Sequence, residues 1–414
     1  MESQAIPSPL SGVESRLKQL RGEAVVALDR ILDWWETRMP DELLGGFYGR
    51  IDGFGRVHPM ADKGVILNTR ILWTFSEAAR AYPEKASWKL IAHRAFDYLI
   101  QYFWDGKEGG LFWMLDCYGK PVQDKKQIYA QAFGIYALAA YYQLTQNRQA
   151  LDRATELFWL IEQYSFDRKM DGYWEAFSRD WKPLSDLRLS EKDANEAKTM
   201  NTHLHVLEAY TALYRIAPGK ELAKALRGLI CLFAGKFIDQ GTGHLRLFFD
   251  EDWVLKSESI SFGHDIEASW LLQEAGEALN DPELIETSRR LAVFIAETTI
   301  LEGADADGGL FNEAGPGGIV DRGKDWWPQA EAIVGFLNAW QVSGDVRFAM
   351  AALRSWDFIQ GYLLDEAEGE WYWALSAKGL PDRENDKAGP WKCPYHNGRA
   401  CLEIVRRLNM PALG

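Results

Sequence analysis

Two stretches of this chain repeat one spacing of histidine and glutamate. "MNTHLHVLEAY" carries Glu208 three residues after His205, and "SFGHDIEASW" carries Glu267 three residues after His264. On a helix such residues are neighbours, so each carboxylate can reach its imidazole. The carboxylate fixes the imidazole tautomer and raises its pKa from about 6.5, while a helix N-terminus shifts it the other way. The opposed shifts leave a base near neutrality, which is what proton transfer requires. A third histidine, His396, lies in "WKCPYHNGR" with Arg399 close behind. A lone histidine is often a satisfied core residue, but histidines at three helix starts argue for a shared site. Metal ligation is the rival chemistry. Carboxylate-bridged di-iron bundles place Glu before His and need glutamates from two further helices, so no metal is expected. His58, His93 and His244 fall in a hairpin, an outer helix and a strand, and read as structural.

The elements that must bring these residues together follow from an internal repeat. An Asp, followed four residues later by Gly (once by Asp) and then by an aromatic-rich stretch, starts at Asp41, Asp105, Asp167, Asp239, Asp305 and Asp365. Each copy reads as a turn into a short strand, because Gly supplies the positive φ of tight turns. A helix with one apolar and one charged face precedes each turn, as in "SRLKQLRGEAVVALDRILDWWETR". A more apolar helix follows, as in "YAQAFGIYALAAYYQL". Pairs of this kind predict an all-α (α/α)6 barrel, with charged helices outside, apolar helices inside and short hairpins connecting outer to inner. No low-complexity linker interrupts the series, so one catalytic domain over 1–414 is expected, with 1–14 a loosely ordered extension. Parallel inner helices gather their N-termini at one mouth. Arg70, Tyr129, Asn201, His203, His205, His264, Trp326, Trp327, His396 and Arg399 fall at or near those starts and converge on one pocket.

Composition narrows the ligand. The net charge of −14 opposes nucleic acid and anionic membrane. There is no secretory pattern at the start and no long apolar run, so a cytoplasmic monomer acting on a neutral small molecule is expected. Tryptophan is abundant, at 18 residues, and indole faces suit sugar rings as well as cores. Cys117, Cys231, Cys393 and Cys401 lack ligand spacing and are expected as buried small hydrophobes. No G-x-G-x-x-G follows a strand, so no nicotinamide cofactor is signalled.

"MNTHLHVLEAY", "SFGHDIEASWLL", "WWPQAEAIVGFLNA" and "WKCPYHNGRACLE" resemble the motifs of the cellobiose 2-epimerases, in the N-acylglucosamine 2-epimerase superfamily, over residues 15 to 408. The resemblance implies an (α/α)6 barrel and a cofactor-free epimerisation at carbon 2 of the reducing-end glucose of a β-1,4-linked disaccharide. It implies His264 and His396 as the acid/base pair and His205 as a third essential histidine. It implies further that Arg70, Tyr129, Asn201, Glu267, Trp327 and Trp391 hold the sugar or orient the bases, and that Asp193 contacts substrate. Glu208 orients His205 by its spacing. N-acylglucosamine or mannose epimerases and aldose–ketose isomerases of the same superfamily are the nearest alternatives. An (α/α)6 glycoside hydrolase is the next, since fold does not fix function. A hydrolase needs two free carboxylates flanking the scissile bond, whereas the clustered groups here are imidazoles. A sugar-binding protein without chemistry would not need three histidines.

Overall fold

The computed structural model describes residues 9–191, 193–376 and 378–409. Among them run twelve α-helices: α1 (Pro9–Arg38), α2 (Val65–Ala81), α3 (Ala86–Tyr98), α4 (Ile128–Thr145), α5 (Arg148–Leu160), α6 (Met200–Ile216), α7 (Lys220–Leu232), α8 (Phe262–Leu279), α9 (Pro282–Thr298), α10 (Trp326–Ser343), α11 (Val346–Phe358) and α12 (Tyr395–Arg407). The even-numbered helices form an inner ring, each packed on the next, and α12 closes the ring on α2. Each odd-numbered helix from α3 onward leans on the inner helix before it. With no predecessor, α1 packs on α12, so the first and last helices seal the expected (α/α)6 barrel.

Burial follows the helix sequences. The outer α5 buries one stripe, Ala150, Leu151, Ala154, Leu157 and Phe158, at helical spacing. The inner α4 is apolar on all sides and buries an unbroken run from Ile128 to Ile135. From α3 onward, each outer helix ends in a five-residue π turn, such as Leu99–Phe103 or Ile359–Leu363, and then enters its hairpin. The connecting strands are two to four residues long.

In four of its six copies the repeated Asp holds the hairpin to a lysine two residues before an inner helix. In Asp41, Asp105, Asp167 and Asp365 one carboxylate oxygen accepts backbone N–H groups two and three residues on, closing an Asx turn. The other oxygen takes a buried ammonium: Lys63 on Asp41 at 2.9 Å, Lys126 on Asp105 at 3.1 Å, Lys198 on Asp167 at 2.7 Å and Lys387 on Asp365 at 2.7 Å. Lys324 serves Asp305 in the same way at 2.6 Å. Asp239 departs from the pattern and pairs with Arg246.

A second tie lies at the fourth residue of the inner helices. Gln131, His203, Asp265 and Gln329 accept the backbone N–H of Leu111, Tyr173, Leu245 and Leu310, at 2.7, 2.8, 2.8 and 2.6 Å. These four side chains peg the hairpins against the ring.

Two expectations need correction. Helix α1 begins at Pro9, so residues 9–14 are helical rather than a loose extension; residues 1–8 of that extension lie outside the described residues. Cys231 is exposed, while Cys117, Cys393 and Cys401 are buried as expected. No helix among the described residues is long and apolar enough to cross a membrane.

Candidate active site

The first turns of the inner helices touch one another side by side, which is possible only if the helices run parallel. From α2, the Arg70 guanidinium donates to the Tyr129 hydroxyl of α4 at 2.8 Å. Tyr129 meets the His205 ring of α6 edge-on at 4.9 Å. His205 Nδ1 bonds Glu208 Oε2 at 2.9 Å, one helical turn on. Glu208 Oε1 accepts the Tyr395 hydroxyl at 2.6 Å and the Arg399 guanidinium, both from α12. Arg399 Nη2 reaches Glu267 of α8 at 2.5 Å and Glu331 of α10 at 2.6 Å. Glu331 Oε1 also holds His396 Nδ1 at 2.7 Å, and its other oxygen accepts the Trp270 indole N–H at 3.1 Å. One chain of contacts therefore crosses all six inner helices.

His264 and His396 both contact a single indole. The Trp327 ring lies 4.8 Å from the His264 ring and 5.6 Å from the His396 ring. His264 Nδ1 is 2.8 Å from the Ser261 hydroxyl, and part of its ring stays open to a cavity of about 570 Å³ lined also by Trp327, Trp373, Asn312 and Asn385. Asn201 and Asp193 border a smaller recess that also reaches His264. Asp193 Oδ2 accepts both the backbone N–H and the hydroxyl of Ser190, each at 2.8 Å. Asn201 Oδ1 is buried without a hydrogen-bond partner, an acceptor available to a ligand hydroxyl. Trp391 stands on the opposite wall, 6.0 Å from Trp113 and 6.1 Å from Tyr129.

The electrostatics separate the two histidines. His264 is not the near-neutral base its spacing predicts: burial pushes it down to about 4, only partly offset by the Glu267 carboxylate, so its imidazole is neutral at physiological pH. Burial, then the Arg70 and Arg399 cations, push His396 well below its ordinary value. Its partner moves the other way: burial and the nearby Glu267 carboxylate push Glu331 up to about 8, outweighing Arg399. Burial also works against ionising Glu208, but Arg399 and His205 hold its carboxyl below the ordinary range. Arg399 thus serves three carboxylates, while Glu331 and His396 are each shifted toward the neutral form. The donor atoms of Glu267, Glu331 and His396 lie within 4.8 Å of one another, close enough to hold a metal ion. Arg399 already bonds both carboxylates, so the cation seated between them is a guanidinium.

The structure brings His205, His264, His396, Arg70, Tyr129, Asn201, Glu208, Glu267, Trp327, Trp391 and Asp193 to one end of the barrel. Glu208 bonds His205 as its spacing requires. Glu267 does not follow suit: its carboxylate turns to Arg399 while Ser261 takes His264 Nδ1. His203 is a wall peg and not part of the pocket. Glu331, Tyr395 and Trp113 join the site without having been expected from the sequence. A register signal points to Glu331. Counting the pegs as position four, position six holds Arg70, His205, Glu267 and Glu331 on α2, α6, α8 and α10. A polar residue there, on an otherwise apolar helix, faces the lumen.

Comparison with known proteins agrees with this geometry. Residues 46–400 match the family model for N-acylglucosamine 2-epimerase. A cellobiose 2-epimerase of Bacteroides fragilis is 48% identical over 91% of this chain and 96% of its own length. One from Dictyoglomus turgidum is 40% identical over 95% of this chain and 100% of its own. The solved structure of cellobiose 2-epimerase from Bacillus thermoamylovorans B4167 superposes with a TM-score of 0.89 at 41% identity, covering 94% of this chain and 100% of that one. A match of this extent settles kinship: the chain belongs to the N-acylglucosamine 2-epimerase family, on its cellobiose 2-epimerase branch.

Proposed function

We propose that this isomerase inverts carbon 2 of the reducing-end glucose of a β-1,4-linked disaccharide, converting cellobiose to glucosyl-mannose and lactose to epilactose. The observation that carries the reading is the pair of imidazoles, His264 and His396, held neutral by burial and both set against the Trp327 ring. The relatives' substrate agrees with it. The carbon 2 proton is acidic only beside a free carbonyl, so the sugar ring opens first. His264, its Nδ1 toward Ser261, removes that proton at Nε2 and leaves an enediolate. Arg70 and His205 stabilise the enediolate oxygens; preorganised donors of this kind usually do the most to lower a barrier. His396 then returns a proton to the opposite face from Nε2, while the Glu331 proton passes to Nδ1 and leaves a carboxylate. The reverse reaction exchanges these roles, and Trp327 supports the reacting ring throughout. Trp391 and Trp113, on the other wall, stack on the second ring, and Asn201 and Asp193 hold sugar hydroxyls. No cofactor takes part, and the enzyme acts as a cytoplasmic monomer.

Turnover of cellobiose in heavy water tests this directly. Glucosyl-mannose carries deuterium at carbon 2 from the first turnovers, with no change on adding EDTA. Glucose as the product would mean a hydrolase. Product that keeps its original hydrogen would mean a hydride shift or a single shuttling base, and the two-histidine assignment would fall.

A further inference from the structure

The inner barrel has a second cavity at its far end, among the C-terminal halves of the inner helices. It measures about 350 Å³ and shares no residue with the two recesses that reach His264, and its size lies within the range of roughly 300–1,000 Å³ typical of small-molecule sites. Its aromatic wall is Trp73 stacked on Tyr136, ring centres 5.1 Å apart and planes 17° from parallel. Behind that wall stands Tyr395, edge-on to both rings at 5.3 and 6.2 Å. Tyr395 also belongs to the catalytic cluster, its hydroxyl on Glu208 and its ring 4.7 Å from that of His396, so one side chain links this wall to the catalytic groups.

The charges around this cavity pair off among themselves. Arg80 bonds Glu77, Arg215 and Arg406 bond Glu274, and Arg406 bonds Glu403 as well. The arginines stand in the last turns of their helices, where the helix dipole favours them. An ionic ligand would find no unpaired countercharge here. A neutral ligand rich in hydroxyls would find guanidinium donors, carboxylate acceptors and an aromatic face together. One wall group also lacks a partner. Arg399 lines this cavity, is 1% exposed, and its Nε–H is buried without an acceptor. An unmet buried donor is costly and marks a place for an incoming oxygen.

We propose that this cavity is a second sugar-binding site, taking a monosaccharide-sized neutral polyol against Trp73 and Tyr136, with a hydroxyl oxygen on Arg399 Nε. Such a ligand would touch the rear of the guanidinium whose front bonds Glu208, Glu267 and Glu331, so its occupancy would be felt at the catalytic mouth.

D-Glucose is the probe. Crystals soaked in glucose, and calorimetric titration in solution, give two bound molecules per chain, one beside the histidines and one in the axial cavity. Ala212→Phe fills the cavity from α6 without touching the mouth, and reduces both counts from two to one while epimerisation continues. Should Ala212→Phe fail to fold, Gln143→Trp closes the same cavity from a half-exposed position and reduces the counts likewise. A count of one in the unmodified protein overturns the proposal, as does a second site that fills with inorganic sulfate in preference to glucose. A count of two that persists in the filled variants overturns it as well.

Discussion

His203 and His205 stand two residues apart on α6 and do opposite work, one in the barrel wall and one in its lumen. In the wall, His203 Nδ1–H donates to the Thr199 carbonyl at 2.7 Å and Nε2 accepts the Tyr173 N–H at 2.8 Å. Both nitrogens are used and the tautomer is fixed, so nothing remains for a substrate. Gly172 presses on the ring from the hairpin: with φ +83, a Cβ there would meet His203 Nε2 at 2.9 Å. In the lumen, His205 spends only Nδ1, on Glu208, and leaves Nε2 for chemistry. Residue type does not separate the two histidines. The count of nitrogens left unspent does, and it is set by which layer the helix turns each residue toward.

The largest expected effect falls on the lumen. His264→Asn and His396→Asn each lower turnover by at least about 10³-fold, toward the upper end of what acid–base groups contribute, with melting temperature nearly unchanged. Either variant retaining a tenth of wild-type turnover would remove that histidine from the reaction. Arg70→Met comes next. Losing one oxyanion donor costs about 10²–10³-fold in kcat, and the loss should fall on kcat rather than KM. An equal loss in KM alone would make Arg70 a substrate-binding group only.

The wall responds the other way. Gln131 and Gln329 do on α4 and α10 what His203 does on α6: each accepts a hairpin N–H and donates to the carbonyl four residues back. His203→Gln should therefore fold and turn over as the wild type does. His203→Ala leaves the Tyr173 N–H buried and unpaired, at a cost of about 1–3 kcal/mol, read as a lower melting temperature with kcat per folded molecule unchanged. A kcat loss in the folded His203→Gln protein would move His203 into the lumen and end the comparison.

These pairs also mark what the sequence makes legible. The Asp-centred repeat and the alternation of amphipathic and apolar helices are local patterns, and they predict the barrel. His205 with Glu208 is local too, being contained in one turn of helix. His396 with Glu331 spans 65 residues and two helices, and no spacing rule reaches across it. Glu267 shows the limit from the other side. Its spacing from His264 matches that of Glu208 from His205, and both carboxylates bond Arg399, yet Glu208 keeps its histidine while His264 Nδ1 meets the Ser261 hydroxyl instead. The buried lysines of the hairpins are invisible in the sequence because Lys reads as surface; burial becomes tolerable only beside the repeated Asp.

The smallest effect, and the sharpest test of wall against lumen, is in pH-dependent stability. Burial lowers His203 to about 3, against about 6.5 for a free imidazole. Between those values the unfolded chain binds a proton that the folded chain refuses, so folding is weakened as pH falls from about 6.5 and the full contribution is present only above it. His264, lowered to about 4, acts in the same sense. Glu331 and Glu175, both raised to about 8, act in the opposite sense, since the folded chain keeps protons that the unfolded chain has released. The wild-type profile is therefore a sum of opposed slopes, and only a difference isolates one of them. His203→Gln removes a single titrating group and keeps its hydrogen bonds. Its melting temperature should approach or match the wild type's near pH 7.5, then gain on it steadily as pH drops toward about 5. A constant difference across that range would mean that His203 takes up a proton as readily folded as unfolded. Its Nε2 would then be turned away from Tyr173, and the wall histidine would be free to act like its neighbour in the lumen.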